Sequence, residues 1–168
     1  MPIIISGTAG KTVISASGQM FAEGASQIPS SNKGTGDIVH IGNNDGNMVA
    51  GMIYMLSGVH NAAIPTWVTA SAATEVASTG LLGVALGTQA GEGVLIRGLV
   101  KSTYLAGRVG GTGSSQTGSV VYLSGSPGYA GATKPASTNN VVRVLGYAID
   151  PANSTIYFNP DPTWVVVA

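Results

Sequence analysis

Apolar residues recur in short runs through the stretch from Leu81 to Ile149 and predict a series of β-strands. Residues 94–101 give the clearest pattern, since side chains alternate between the two faces of an extended chain and the even positions here hold Val, Ile, Gly and Val. The runs LLGVALG, GVLIRGLVKSTYLAG, GSVVYLSGSPGYAGATKP and VVRVLGYAID are each closed by glycine, serine or proline. This order is typical of strands joined by turns.

Residues 1–36 differ from the rest because they are rich in Gly, Ser and Ala and hold few large apolar side chains. The runs PIIIS and KTVISAS indicate two short strands separated by glycines. Two interpretations stay open. The segment is an arm that docks on a neighbouring molecule through Ile3, Ile4 and Ile5, or it forms peripheral strands that complete the main sheet.

The Asp45-Gly46 pair stands between two strand-like runs, Asp37–Ile41 and Met48–Leu56. Both residue types tolerate the positive φ of a type I′ turn, so the pair predicts a hairpin. A calcium loop is the alternative for this asparagine-rich run. It would need a regular acidic spacing and a distant glutamate ligand, which the run lacks.

The chain after the hairpin signal gives further elements. Residues 68–79 (VTASAATEVAST) predict a strand plus a connection, or a single helical turn, because alanines are mixed with β-branched residues. Thr155–Phe158 predicts another strand, and Pro160 and Pro162 exclude a central strand after it. The final WVVV is expected to pair in a sheet or to be covered by another subunit, since an exposed apolar edge invites aggregation.

Length and composition favour one domain. A chain of 168 residues can bury a core without disulfides, and this one has no cysteine. We therefore expect an all-β fold, a single compact β-barrel or β-sandwich domain over residues 37–168, with an extended arm or peripheral strands over residues 1–36.

Charge is scarce and balanced. Lys and Arg number 7, as do Asp and Glu, and charged residues make up 8% of the chain, against about 25% in typical soluble domains. No basic field is available to bind phosphates, so nucleic acid is not expected as a partner. No apolar run reaches the length of a membrane helix, and the start lacks a secretion signal, so we expect no membrane association and synthesis in the cytosol.

Candidate chemistry is sparse. The carboxylates are scattered and mostly lie next to turn residues, and no nucleophile elbow is present. His40 and His60 are too few for a metal site without cysteines. The run Gly110–Gly118 lacks the lysine of a phosphate loop and precedes a strand instead of a helix. We expect no enzyme, no catalytic residues, no cofactor and no metal.

Two arginines and two tryptophans are the residues to locate. Arg97 and Arg143 lie among apolar neighbours, where they either form ion pairs at a subunit boundary or, as we expect, point to solvent from the outer face. Trp67 is expected in the core or in a subunit contact. Trp164 is a candidate contact residue in the final apolar run.

Several runs in a fixed order resemble a known β module. They are GMIYMLSG, LLGVALG, GVLIRGLV, GSVVYLSGSPGYAGATKP, VVRVLGYAID and IYFNPDPTWVVV. Together they resemble the β module of tailed-bacteriophage virion proteins, which occurs in capsid decoration proteins and at the ends of fibre proteins. The likeness covers about residues 48–168 and does not clearly include the first 36.

The resemblance implies a non-enzymatic virion component that is commonly trimeric. On this basis we expect a capsid decoration (cement) protein that binds the outer surface of the major capsid protein lattice as a homotrimer and stabilises the head. The alternative is a tail fibre, receptor-binding or other tail-associated protein. A fibre usually carries a long shaft ahead of its tip, and none precedes Asp37, so decoration is the expected placement.

Overall fold

The computed structural model describes residues 3–7, 10–14, 20–22, 29–44, 46–60, 64–104 and 117–168. The fold is all-β, as predicted, with 45% of residues in strands and a curled half-barrel sheet. The described residues contain no α-helix. Within the described ranges, short 3₁₀ turns lie at Glu75–Ala77, Ala90–Glu92 and Pro151–Asn153.

The strands are numbered here in chain order. The first seven are β1 (Ile3–Gly7), β2 (Gly10–Ile14), β3 (Met20–Ala22), β4 (Lys33–Val39), β5 (Asn43–Asn44), β6 (Ile53–His60) and β7 (Ile64–Thr69). The others are β8 (Leu81–Ala85), β9 (Val94–Lys101), β10 (Val120–Leu123), β11 (Ala130–Gly131), β12 (Val141–Val142), β13 (Val144–Asp150), β14 (Thr155–Phe158) and β15 (Val165–Val166). The strand predicted at Thr155–Phe158 is confirmed as β14.

Strand β9 joins the parts of the main sheet. One of its edges pairs with β4 from end to end. Its other edge is shared, because β8 pairs with Val94 and Leu95 while β14 pairs with residues 98–101. The two partner strands separate at Ile96 and Arg97. The sheet therefore divides into a first half (β8, β6, β7 and β5) and a second half (β14, β13, β10 and β11).

One hydrophobic core fills the space between the two halves. Alternation places every second side chain of the central strands inward, as with Ile53 and Met55 in β6 and Leu82 and Val84 in β8. The second half contributes its own inward residues to the same cluster. The larger members of this core are Ile53, Met55, Leu82, Val84, Leu95, Val100, Val121, Leu123, Leu145, Ile156 and Phe158.

The two halves also meet on the side opposite β9, through the segment that follows β7. Ala72 N donates to Ser124 O at 2.8 Å, and Val141 N donates to Ala72 O at 2.8 Å. Gly128 N donates to Ala70 O at 2.7 Å. Both alanines are fully buried, which leaves no room for a larger side chain. The prediction for residues 68–79 is confirmed, since strand β7, a connection and one 3₁₀ turn follow in order.

A second, smaller core lies on the other face of the first half. It holds Met48, Tyr54, Trp67, Ala85, Ala90 and Val94. Trp67 is 1% exposed, and its Nε1 donates to Ile41 O at 2.7 Å. Trp67 is therefore a core residue, which was one of its two predicted positions.

The hairpin predicted around Asp45-Gly46 is wrong in its pairing. Asp45 lies outside the described residues, but the flanking strands pair elsewhere: β4 pairs with β9, and β6 pairs with β7 and β8. Strand β6 begins at Ile53 instead of Met48. Met48 is buried in the second core, and Gly51 turns with φ of 92°. Gly46 does have the positive φ of a turn residue, at 76°, but the strands on either side of it pair with distant partners instead of with each other.

The described strands among the first 36 residues divide between two sheets. The runs PIIIS and KTVISAS correspond to β1 and β2, which form a separate antiparallel sheet with β3 in the order β1-β2-β3. Residues 33–36 instead begin β4 and pair with β9 in the main sheet. The boundary predicted between residues 36 and 37 falls inside this strand.

Two glycines let β4 approach β9 closely. Gly36 and Gly98 face each other, with φ of 142° and 143°. A Cβ on Gly98 would lie 2.1 Å from Thr35 O, so alanine there combines backbone strain with a clash. We expect Gly98→Ala to lower the free energy of unfolding by about 2–4 kcal/mol, measured by urea denaturation.

Gly91→Ala is the matched control for that measurement. A Cβ on Gly91 would meet nothing within 4 Å, so this variant should stay within about 0.5 kcal/mol of the parent. Equal stability of the two alanine variants would contradict the close approach of β4 and β9.

Candidate interaction surfaces

A cleft opens where β8 and β14 separate from β9. We call it the fork cleft; its volume is about 460 Å³. Ile96 and Arg97 of β9 lie between its two walls, which are formed by the start of β8 and by the segment after β14. The lining residues are Asp37, Thr79, Gly80, Leu81, Leu82, Ile96, Arg97, Arg143, Asn159, Pro160 and Pro162. The cleft thus follows directly from the division of the sheet.

Arg143 is buried, so its expected position on the solvent-facing surface is wrong. It lies between β12 and β13 and is 4% exposed. Nε donates to Asp161 O at 3.0 Å, and Nη1 donates to Gly80 O at 2.7 Å and to Ser78 O. The side chain therefore ties the loop before β8 to the segment after β14 through backbone carbonyls.

The sequence did contain a signal for this burial. In an extended chain, Arg143 points to the same face as Val141 and Leu145, two residues before and after it. Both of those residues are fully buried. Burial lowers the pKa of Arg143 by disfavouring the charged form, and the nearby Asp161 carboxylate raises it in part. Hydrogen bonds to carbonyls stabilise a guanidinium whose charge has left water.

Arg97 occupies the position predicted for it, on the solvent-facing surface. Its Nε lies 3.4 Å from Asp37 Oδ2, and both side chains are 61% exposed. The two residues face each other across β9 and β4. An exposed ion pair of this kind contributes under about 1 kcal/mol and leaves both groups accessible. The fold brings Arg97 and Arg143 together at the fork cleft, whereas Trp164 is not among the residues that line it.

The outer edge of β4 is unpaired among the described strands, because this strand pairs with β9 alone. It is seven residues long and mostly exposed. Its free edge presents backbone donors and acceptors that a strand of another molecule can pair with. Lys33 at its start and Asp37 within it carry charges, a common means by which edge strands avoid non-specific pairing.

An apolar row crosses the outer face of the sheet next to that edge. Directly opposed residues of antiparallel strands point to the same face of a sheet. The strand register places five such residues in a line, one each on β4, β9, β14, β13 and β10. They are Thr35, Leu99, Tyr157, Tyr147 and Val120. Tyr147 is 48% exposed. This outer row offers a partner contact area beside the hydrogen-bonding edge of β4.

The final apolar run pairs in a sheet, as predicted. Strand β15 pairs with β12, yet the side chains of Val165 and Val166 remain exposed. Trp164 Nε1 donates to Glu75 Oε1 at 3.4 Å. Val76, which follows Glu75 in the chain, is 84% exposed. The role of Trp164 in contacts with other molecules stays a prediction, as does that of Ile3, Ile4 and Ile5 in β1.

The described part of the chain has no group of three or more metal-ligating side chains and no helix that could span a membrane. His40 Nδ1 lies 3.0 Å from Gly91 O. Residues 105–116, with most of the glycine-rich run, lie outside the described residues. No family model, curated protein or solved structure matches the chain.

The two tryptophans should respond differently to phenylalanine. Trp67→Phe removes a buried hydrogen bond and core volume, so it should lower the free energy of unfolding by about 1–3 kcal/mol. Trp164→Phe changes an exposed ring and should cost under about 0.5 kcal/mol. Urea denaturation of both variants checks this. A larger loss of unfolding free energy for Trp164→Phe than for Trp67→Phe would contradict the buried position of Trp67 and the exposed position of Trp164.

Asp161 should make stability depend on pH. Hydrogen bonds from the Thr163 hydroxyl and backbone N–H hold the pKa of Asp161 below its ordinary value of 3.8. A lowered pKa stabilises the fold above pH 3.8, and this contribution disappears as the pH falls through the folded-state pKa. The stability difference between the parent and Asp161→Asn should therefore narrow in acid, as measured by unfolding midpoints. A difference independent of pH would contradict this role.

Proposed function

We propose that this chain is a non-enzymatic decoration protein of a phage capsid, which binds the outer surface of the major capsid protein lattice and stabilises the head. The observation that carries the proposal is the unpaired, exposed edge of β4 beside the apolar outer row. The resemblance of residues 48–168 to the virion β module supports the same class. The low charged fraction, 8%, also suits a surface that subunits cover.

Attachment works by strand addition. A strand of the capsid protein pairs with β4 through backbone hydrogen bonds, which extends the ten-stranded sheet by one strand. Backbone pairing supplies affinity, and side chains beside the edge supply selectivity. Here Tyr147, Tyr157 and Leu99 of the outer row provide the apolar contact.

Repetition strengthens this contact. A homotrimer presents three copies of the β4 edge, and a capsid lattice presents many copies of their target. Once one copy is bound, the others bind at a high effective concentration, so modest single contacts sum to stable attachment. Bridging of several capsid subunits by one trimer is what stabilises the shell against internal pressure.

Attachment to shells of the major capsid protein tests the proposal. Deleting residues 1–10 should sharply lower occupancy if the N-terminal arm docks, while the main β domain stays folded. Thr35→Lys should lower occupancy if the β4 edge docks, because the new lysine adds a charge at an exposed central position of that strand. Occupancy is measured by co-sedimentation, and circular dichroism reports folding.

Thr138→Lys is the matched control, because it adds the same charge on an exposed loop between β11 and β12. It should leave occupancy unchanged. Binding to tails instead of shells would favour the fibre alternative. Full occupancy of both the deletion and Thr35→Lys would contradict attachment through either element.

The isolated protein should be a trimer. Sedimentation velocity at micromolar concentration should give about three times the mass of the 16.7 kDa chain. Tyr147→Lys should leave the trimer intact, because Tyr147 lies on the exposed outer row that contacts the capsid protein. A monomer at this concentration would count against the trimer.

A further inference from the structure

The guanidinium of Arg143 is only partly satisfied. Nε and Nη1 donate to three backbone carbonyls, whereas Nη2 has no acceptor among the described residues. The one described side-chain atom that is both fully buried and without a hydrogen-bond partner is Thr66 Oγ1, so Nη2 must contact accessible space. The fork cleft is the open space that Arg143 lines.

The residues that line the cleft carry one net positive charge, and the Asp161 carboxylate lies close to Arg143 just outside this lining. Arg143 and Arg97 line it, and Asp37 is the one carboxylate among the lining residues. Asp37 is already paired with Arg97. The three acceptors of Arg143 are neutral carbonyls. The nearby Asp161 carboxylate acts on Arg143 electrostatically, but its Oδ1 accepts hydrogen bonds from Thr163, and no described carboxylate hydrogen-bonds the guanidinium. A buried cation gains most from a ligand that carries the opposite charge.

We infer that the fork cleft is a binding site for a carboxylate, which accepts hydrogen bonds from Arg143 Nη2 with Arg97 at the rim. The volume of about 460 Å³ suits a short acidic side chain with its flanking backbone, or a small organic acid. Leu82, Ile96, Pro160 and Pro162 give apolar walls for the methylene groups of a glutamate. This binding site does not depend on the proposed role of the chain in capsid decoration.

Nuclear magnetic resonance on the full chain tests the site. The arginine side-chain signals of ¹⁵N-labelled protein are followed during titration with sodium acetate and, separately, with the blocked peptide acetyl-Gly-Glu-Gly-amide. Sodium chloride at the same ionic strength corrects for screening. We expect saturable shifts of the Arg143 signals with both probes. Tighter binding of the peptide assigns a protein carboxylate, and equal affinity per carboxylate assigns a free organic acid.

Substitution at the cleft separates binding from folding. Arg143→Lys removes donors to three carbonyls and is expected to unfold readily, so Asn159→Asp is the informative variant. Asn159 lines the cleft and is exposed, and an aspartate of the same shape supplies an internal carboxylate. It should weaken acetate binding about tenfold or more.

Asn47→Asp is the matched control, since it makes the same charge change at an exposed position that is not among the lining residues. It should bind acetate like the parent. No saturable shift at Arg143 with either probe, or equal weakening by Asn159→Asp and Asn47→Asp, would overturn the carboxylate site and leave Arg143 as a structural residue alone.

Discussion

The division of one edge of β9 between two partner strands is the constraint on which the rest of this structure depends. Because β8 and β14 pair with different ends of the same edge, the two halves of the sheet separate and curl around a common core. The same separation opens the fork cleft. The opposite edge of β9 is taken by β4, whose own outer edge is left exposed.

Arg143 holds the divided sheet in place at the cost of burying a charge. Its guanidinium bonds carbonyls before β8 and after β14, the two segments that separation would otherwise leave apart. Removing one partner from such a buried network lowers the free energy of unfolding by more than the intact network adds to it, because the remaining polar groups are left without hydrogen bonds. The side chain therefore fixes the shape of the cleft that it lines.

The sequence predicted strands well and their partners poorly. Alternation located β9 and β14, and the final valines were expected to pair. The partner of a strand can lie far away in the sequence, so the Asp45-Gly46 turn signal suggested a hairpin, whereas β4 pairs with β9 and β6 pairs with β7 and β8. The charge of Arg143 favoured a position in contact with solvent. Its place on the same strand face as Val141 and Leu145 indicated a position in the core. The fork cleft had no local signal, since it arises from pairing alone.

The central claim is that the exposed edge of β4 and the apolar outer row serve attachment to a capsid. Immunogold electron microscopy of the source virions, with antibody raised against this chain, tests the placement most directly. We expect label distributed over the heads. Label confined to the tails, or absent from the particles, would contradict it.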